Sequence, residues 1–191
     1  MNPQIANFKA GNSNLKELPW LEAGYEVFAI NGPEALKIEA LAKTVGISKS
    51  SFYHHFADLE VFKTALLDLH MDAVAIITDK EKACKSLLPD LQSVFIEHKT
   101  DLLFHRQLRI NRSKSGYEHY LNKAESIMGM VFIDLVINAL NLQKSKHIIE
   151  LVYDLAVESF FLSITPENFN ELWLTSYFQS MENKFRTLHA L

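Results

Sequence analysis

The stretch Leu36-Lys-Ile-Glu-Ala-Leu-Ala-Lys-Thr-Val-Gly46-Ile-Ser-Lys-Ser-Ser-Phe-Tyr-His-His-Phe56 sets the reading of the whole chain. Ile38, Leu41, Ala42 and Val45 fall at helical spacing and form one face of a short helix over 37–45. Ala42 is small where a second helix must cross closely. Gly46, four residues on, supplies a left-handed turn that residues with a Cβ resist. Ile47 is expected to plug the core beneath the turn. Ser48 is expected to cap the next helix, over 48–55, whose inner face carries Phe52 and Phe56. This is a helix-turn-helix, in which the second helix enters the DNA major groove with its N-terminal residues toward the bases.

Outward from this motif the chain reads as all-α. Prolines occur at 3, 19, 33, 89 and 166, and no glycine follows Gly129. The long stretches between them show helical spacing and no alternation of strands. Asn31-Gly32 follows a helical segment over 19–30 and reads as its C-terminal stop. A long helix is predicted over 58–79, ending at the charged run Asp79-Lys-Glu-Lys82. Pro89 suits the first turn of the next helix, and Asp101 starts another. The segment 117–141 is helical with a kink at Gly129. The last two helices are 144–163 and 166–188, the latter with Thr165 as N-cap and Pro166 at its first position. No internal repeat is present. The domain division is 14–62, a connecting helix to about 79, and 80–191.

Composition bounds the function classes. The chain has 191 residues, 48% hydrophobic and 22% charged, which excludes intrinsic disorder and supports a real core. The one cysteine, Cys84, makes neither an internal disulfide nor a thiolate cluster. The start Met1-Asn-Pro-Gln4 lacks the pattern of a signal peptide. The longest apolar run, 127–140, is broken by Asp134 and Asn138 and is shorter than the roughly 20 residues of a membrane span. A cytoplasmic protein with no membrane association is expected. The net charge of -4 argues against avid non-specific DNA binding.

The run Leu41-Ala42, Val45-Gly46-Ile47-Ser48-Lys49 and Phe52-Tyr53-His54-His55-Phe56 resembles the tetracycline-repressor (TetR) family of bacterial transcription regulators. Upstream, Ala23-Gly24, Phe28 and Gly32 match the family's first helix and its closing glycine. The resemblance covers about residues 20–65. It implies an N-terminal three-helix DNA-binding domain and a helical C-terminal domain that binds a small molecule and dimerises. It also implies DNA contacts at Lys37, Ser48, Lys49, Ser50, Ser51, Tyr53 and His54. Two departures stand out. Leu59 occupies a position where the family commonly has Lys, and Lys9 and Lys16 are the only basic residues of the N-terminal arm. Each missing phosphate contact lowers affinity. The reading is therefore a homodimeric, ligand-released repressor of a palindromic operator. The alternative is a helical ligand-binding or protein-interaction module with weak or lost DNA binding.

Other constellations carry less. His54 and His55 are adjacent on a helix, point about 100° apart and cannot chelate one metal together. No nucleophile–base grouping, phosphate loop or metal-ligand spacing occurs, so neither an enzyme nor a cofactor is expected. Arg106 and Arg109 are i,i+3 neighbours. They either grip an anionic ligand or inner carboxylates, or lie on a solvated helix face, and the solvated face is the preferred reading. Asp134 and Asn138 share one face of an apolar helix and are either polar anchors of a ligand pocket or its exposed stripe. Tyr117, Tyr120, Phe160 and Phe161 are candidate lining residues of the same pocket. The last two helices are apolar on more than one side. A seam of Leu155 with Leu174, Phe178, Met181, Phe185 and Leu188 predicts a dimer through a four-helix bundle.

Overall fold

The computed structural model describes residues 16–189 apart from Ser115, Gly129 and Lys144, with the side chains of Asp154, Leu155, Leu188 and His189 also outside it. Lys9, the kink expected at Gly129, the helix start expected at Lys144, and the contributions of Leu155 and Leu188 to the seam therefore lie outside the described residues. Every regular element among the described residues is helical. In order they are α1 (Leu18–Asn31), α2 (Ile38–Val45), α3 (Lys49–His55), α4 (Leu59–Ala83), α5 (Gln92–Glu97), α6 (Lys99–Ile110), α7 (Tyr117–Met128), α8 (Val131–Ala139), α9 (Lys146–Val152), α10 (Ser159–Ser163) and α11 (Glu171–His189). No described helix is long and apolar enough to cross a membrane.

Helices α1 to α3 close around an aromatic centre. Trp20, Phe52, Phe56 and Phe62 are buried, and Trp20 and Phe62 both meet the Phe52 ring edge-on, at 5.4 and 5.3 Å. Leu41, with Ile38, Ala42 and Val45 half-buried, seats α2 on this centre as its spacing predicts. Gly46 lies at φ 73°, ψ 21°, the left-handed conformation that ends α2. Two details differ from the expectation. Ile47 is 36% exposed, because the turn lifts it off the core that Phe52 and Phe56 already fill. Ser48 precedes α3 in extended conformation but makes no cap hydrogen bond; its hydroxyl pairs with that of Ser50 instead.

The helix after the motif runs further than its charge pattern suggests. Asp58 caps α4 by accepting from the Val61 amide, and α4 continues through Asp79-Lys-Glu-Lys82 to Ala83. Glu81 faces inward and is buried, so only part of that charged run is solvated. Pro89 falls in a wide turn over 87–91, with Leu88 extended, and α5 begins only at Gln92. The segment 117–141 divides into α7 and α8. The segment after α9 widens over Tyr153–Glu158 before α10, so the single helix expected there is three pieces. At 165–168 the chain makes a turn. The Thr165 hydroxyl accepts from the Asn168 amide and the Asn168 side chain accepts from the Thr165 amide. This reciprocal pairing is a capping box: Thr165 caps a single turn that Pro166 opens, with the Phe169 amide donating to the Thr165 carbonyl. That turn is not continued, and α11 starts at Glu171 with Asn170 accepting from the Trp173 amide.

Helix α1 packs along α6, which places the motif directly on the rest of the chain. Gly32 closes α1 at φ 80°, where a Cβ would lie 2.9 Å from the Gln107 side-chain oxygen. The backbone angle requires glycine there, and a Cβ would in addition push the Gln107 side chain aside. On α11, Leu174, Phe178, Met181 and Phe185 are buried within their own chain, with Phe178 beside Phe95. The seam predicted for a partner is thus core for these four residues. Leu162 and Leu172 instead remain exposed, at 65% and 79%.

Gly46 has open space around its Cα, so any penalty for a side chain there comes from the backbone angle alone. Gly46→Val should cost about 1–3 kcal/mol and Gly46→Asn distinctly less, since Asn tolerates the left-handed region. Denaturant midpoints of the two variants check this, and a valine variant as stable as the parent contradicts it.

Candidate nucleic-acid interface and interior cavity

The residues predicted to meet DNA fall on the outer side of the motif. Lys37, Ser48, Lys49, Ser50, Tyr53 and His54 are exposed, and Ser51 is half-buried. Lys49 and Ser50 occupy the first turn of α3, and Tyr53 and His54 follow them at i+4, so the four line one side of the helix. Lys37 immediately precedes α2 in extended conformation. Lys49 is not solvated alone: its ammonium pairs with the Glu39 carboxylate across the turn. This hydrogen bond raises the lysine's pKa and lowers the glutamate's, while both stay exposed. Leu59, standing where a lysine is common, is half-buried against the aromatic centre. His55 turns away from His54, with Nδ1 3.9 Å from Glu17.

A buried polar chain joins the motif to the body. The Tyr25 hydroxyl donates to Asp101 Oδ1 at 2.8 Å and lies 2.9 Å from His70 Nδ1. His70 Nε2 is 3.3 Å from His105 Nδ1. Because the tyrosine proton is committed to Asp101, His70 donates from Nδ1. Burial favours neutral imidazoles, pushing the His70 pKa down to about 4 and His105 well below its ordinary value. A neutral His70 then accepts at Nε2 from His105 Nδ1. On the other side, His98 Nδ1 lies 3.0 Å from Asp101 Oδ2, and Lys80 Nζ lies 3.0 Å from His98 Nε2.

Next to this chain lies a half-open cavity, with about 530 Å³ of space between its walls and in its mouth, open solvent included. Its walls come from α4 to α8 and the 153–161 segment, and are mostly aromatic and aliphatic. Arg109 enters from α6 and is 4% exposed. One Nη donates to Glu158 and the other to Glu125, the latter at 2.8 Å. The guanidinium lies 5.0 Å from the Phe161 ring centre, and the Tyr153 hydroxyl donates to Glu125 at 2.9 Å. The solvated-face reading of Arg109 is thereby corrected: the arginine grips inner carboxylates.

Of the predicted ligand residues, the cavity brings together Arg109, Phe160 and Phe161. The other five do not line it. Tyr117 packs edge-on to Phe28, and Tyr120 donates to Asp68 at 3.0 Å. Arg106 and Asp134 are half-buried elsewhere, and Asn138 is exposed. Sequence reasoning missed Glu81, Glu125 and Tyr153. Glu81 hides within a run of charges. The other two become recognisable only once Arg109 is seen to need partners.

A left-handed glycine turn between two short helices, a third helix presenting hydroxyls and a lysine, and an aromatic centre behind them define a helix-turn-helix DNA-binding protein. Residues 21–62 match the family model of the bacterial regulatory proteins of the tetR family, which marks the N-terminal helices as the DNA-binding region of a transcription regulator. Neither the curated proteins nor the solved structures give a match.

A DNA contact by Lys49, as the sequence predicts, requires exchange of its Glu39 partner for a phosphate or base. Lys49→Ala should weaken DNA binding and reduce the salt slope by about one unit, the share of a single phosphate. Glu39→Gln frees the lysine and removes a like charge from the DNA-facing side, so binding should tighten several-fold. Salt titrations of both variants check this, and identical curves for the three proteins contradict it.

Proposed function

We propose that the protein is a ligand-responsive repressor that binds a palindromic operator as a homodimer and releases it when a small molecule fills the interior cavity. One observation carries the reading: α6 serves both sites. Leu102 and Arg109 on α6 line the cavity, while Phe104 on the same helix lies against Tyr25 and Phe28 of α1. A molecule that displaces α6 must move α1 and the recognition helix with it. Release needs only that the ligand favour one arrangement over the other. In this reading 14–62 is the DNA-binding domain, 80–191 the effector and dimerisation domain, and the protein is a cytoplasmic binding protein, not an enzyme.

A dimer fits this scheme because successive major grooves on one DNA face lie about 34 Å apart. The contact we propose uses the last two helices, through the exposed Leu162 and Leu172 and the small exposed Ser163, Ser176 and Ser180. The motif offers Lys37, Lys43 and Lys49 as exposed cations. Two copies of these three lysines neutralise about six phosphates, so their contribution to the salt slope should be near -5. That modest charge favours a specific operator over non-specific coating of DNA, and it answers the objection raised by the acidic balance.

The test is selection of bound duplexes from a random pool, followed by sedimentation. The selected sites should be palindromic and bound by a dimer. Leu162→Glu/Leu172→Glu should run as a folded monomer and lose at least tenfold in operator affinity. Failure to enrich any sequence contradicts the proposal and favours the module without DNA binding.

A further inference from the structure

Among the described residues, Glu81 is the charged group whose chemistry is least satisfied. It sits near the end of α4, is 1% exposed, lines the cavity, and has no hydrogen-bond partner for either carboxylate oxygen. A buried acceptor pair without donors costs free energy unless something else supplies them. The other charged groups at the cavity already serve each other. Arg109 spends both Nη groups on Glu125 and Glu158, leaving only Nε without a partner. One guanidinium thus faces two carboxylates before Glu81 is counted, so an anion entering the cavity meets repulsion and few free donors. The remaining walls are rings, among them Phe95, Phe132, Phe160 and Phe161. Their faces attract cations and shelter apolar bodies.

We propose that the cavity takes a protonated amine on an apolar, aromatic body, with the ammonium held by Glu81 and the body among the phenylalanines. This assignment rests on the cavity's being the effector site. The ammonium supplies the donors that Glu81 lacks, and its charge balances the carboxylate in a dry site. Burial raises the Glu81 pKa to about 7. Binding therefore expels a proton to solvent whenever Glu81 starts protonated. The groups facing it are Arg109 from α6, Glu125 from α7, Tyr153 from the segment after α9, and Cys84 just beyond α4, whose thiol is pushed up by burial and nearby carboxylates. An aliphatic amine stays protonated throughout the range tested. The sign follows: amine affinity rises with pH as Glu81 ionises. For a pKa near 7 the ionised fraction grows about tenfold between pH 6 and pH 8.

The probes are 4-phenylbutylamine, 4-phenylbutan-1-ol and 4-phenylbutanoate, titrated calorimetrically into the full chain at pH 6 and pH 8. The amine should bind at least tenfold tighter than the alcohol at pH 8, and about tenfold weaker at pH 6 than at pH 8. The alcohol should bind equally at both. In Glu81→Gln the amine should lose its advantage while the alcohol still binds. The pH comparison on the parent needs no variant, so it stands even where the substitution disturbs folding. Equal binding of amine and alcohol overturns the role of Glu81 and leaves the cavity as a ligand site. Preference for the carboxylate overturns it in favour of Arg109. Tighter amine binding at pH 6 also overturns it, because the ammonium would then not be held by an ionised Glu81. Failure of all three probes to bind overturns both this assignment and the cavity as an effector site.

Discussion

Phe104 occupies the point where the DNA-binding helices meet the rest of the chain. Its ring stacks on Phe28 at 4.0 Å, on Tyr25 at 4.4 Å and on His70 at 4.6 Å, and it is fully inaccessible to solvent. Three helices, α1, α4 and α6, each contribute a ring to this stack. Removing a buried phenylalanine typically costs about 3–5 kcal/mol, a large part of a domain's stability. The seam is therefore packed like a core and not like a hinge between loosely joined bodies. The hydrogen-bond chain alongside adds direction to the packing. Asp101 accepts from Tyr25 through one oxygen and pairs with His98 through the other, and His70 and His105 extend the chain behind Tyr25. Packing sets the distance between α1 and α6, and the polar chain sets their register.

A rigid seam has a functional consequence. The proposed transmission of motion from the cavity rests on α6 having no soft layer between its two sides. His105 illustrates this: its ring lies 4.7 Å from Phe161 of the cavity wall and its Nδ1 reaches His70. Phe161 also carries the Arg109 guanidinium. The path from cavity to motif thus runs through contacts of van der Waals and hydrogen-bond length at every step. Contiguity alone does not establish coupling, which requires that both sites bias the same two arrangements.

The fold was legible in the sequence wherever its determinants are local. Ala42 to Gly46 announces the turn because a small residue, a left-handed glycine and an apolar face fall within one helical repeat. Gly32 announces the end of α1 for the same reason. Legibility declines as determinants become distant. Glu81 looks solvated beside Asp79, Lys80 and Lys82, yet the pitch of α4 turns it inward while its neighbours face out. Arg109 looks like one of a basic series, and only the approach of Glu125 and Glu158, 16 and 49 residues away, makes it interior. Pro166 looks like the start of the last helix, and Thr165 does cap a turn there, but the turn stops and the long helix begins only at Glu171. The apolar seam of α11 was visible, whereas its assignment to self or partner depends on where Phe95 lies.

Communication between cavity and motif requires α1 and α6 to behave as one unit. Native-state hydrogen exchange of Tyr25→Phe tests this most directly. The variant keeps the ring in its stack but leaves Asp101 and His70 short of a partner, a loss of about 1–3 kcal/mol. Protection should fall by the same amount in the amides of 18–31 and of 99–110, because the two helices open together. Loss confined to 18–31, with 99–110 unchanged, would show that the motif opens independently and would contradict the coupling of cavity to DNA-binding helices.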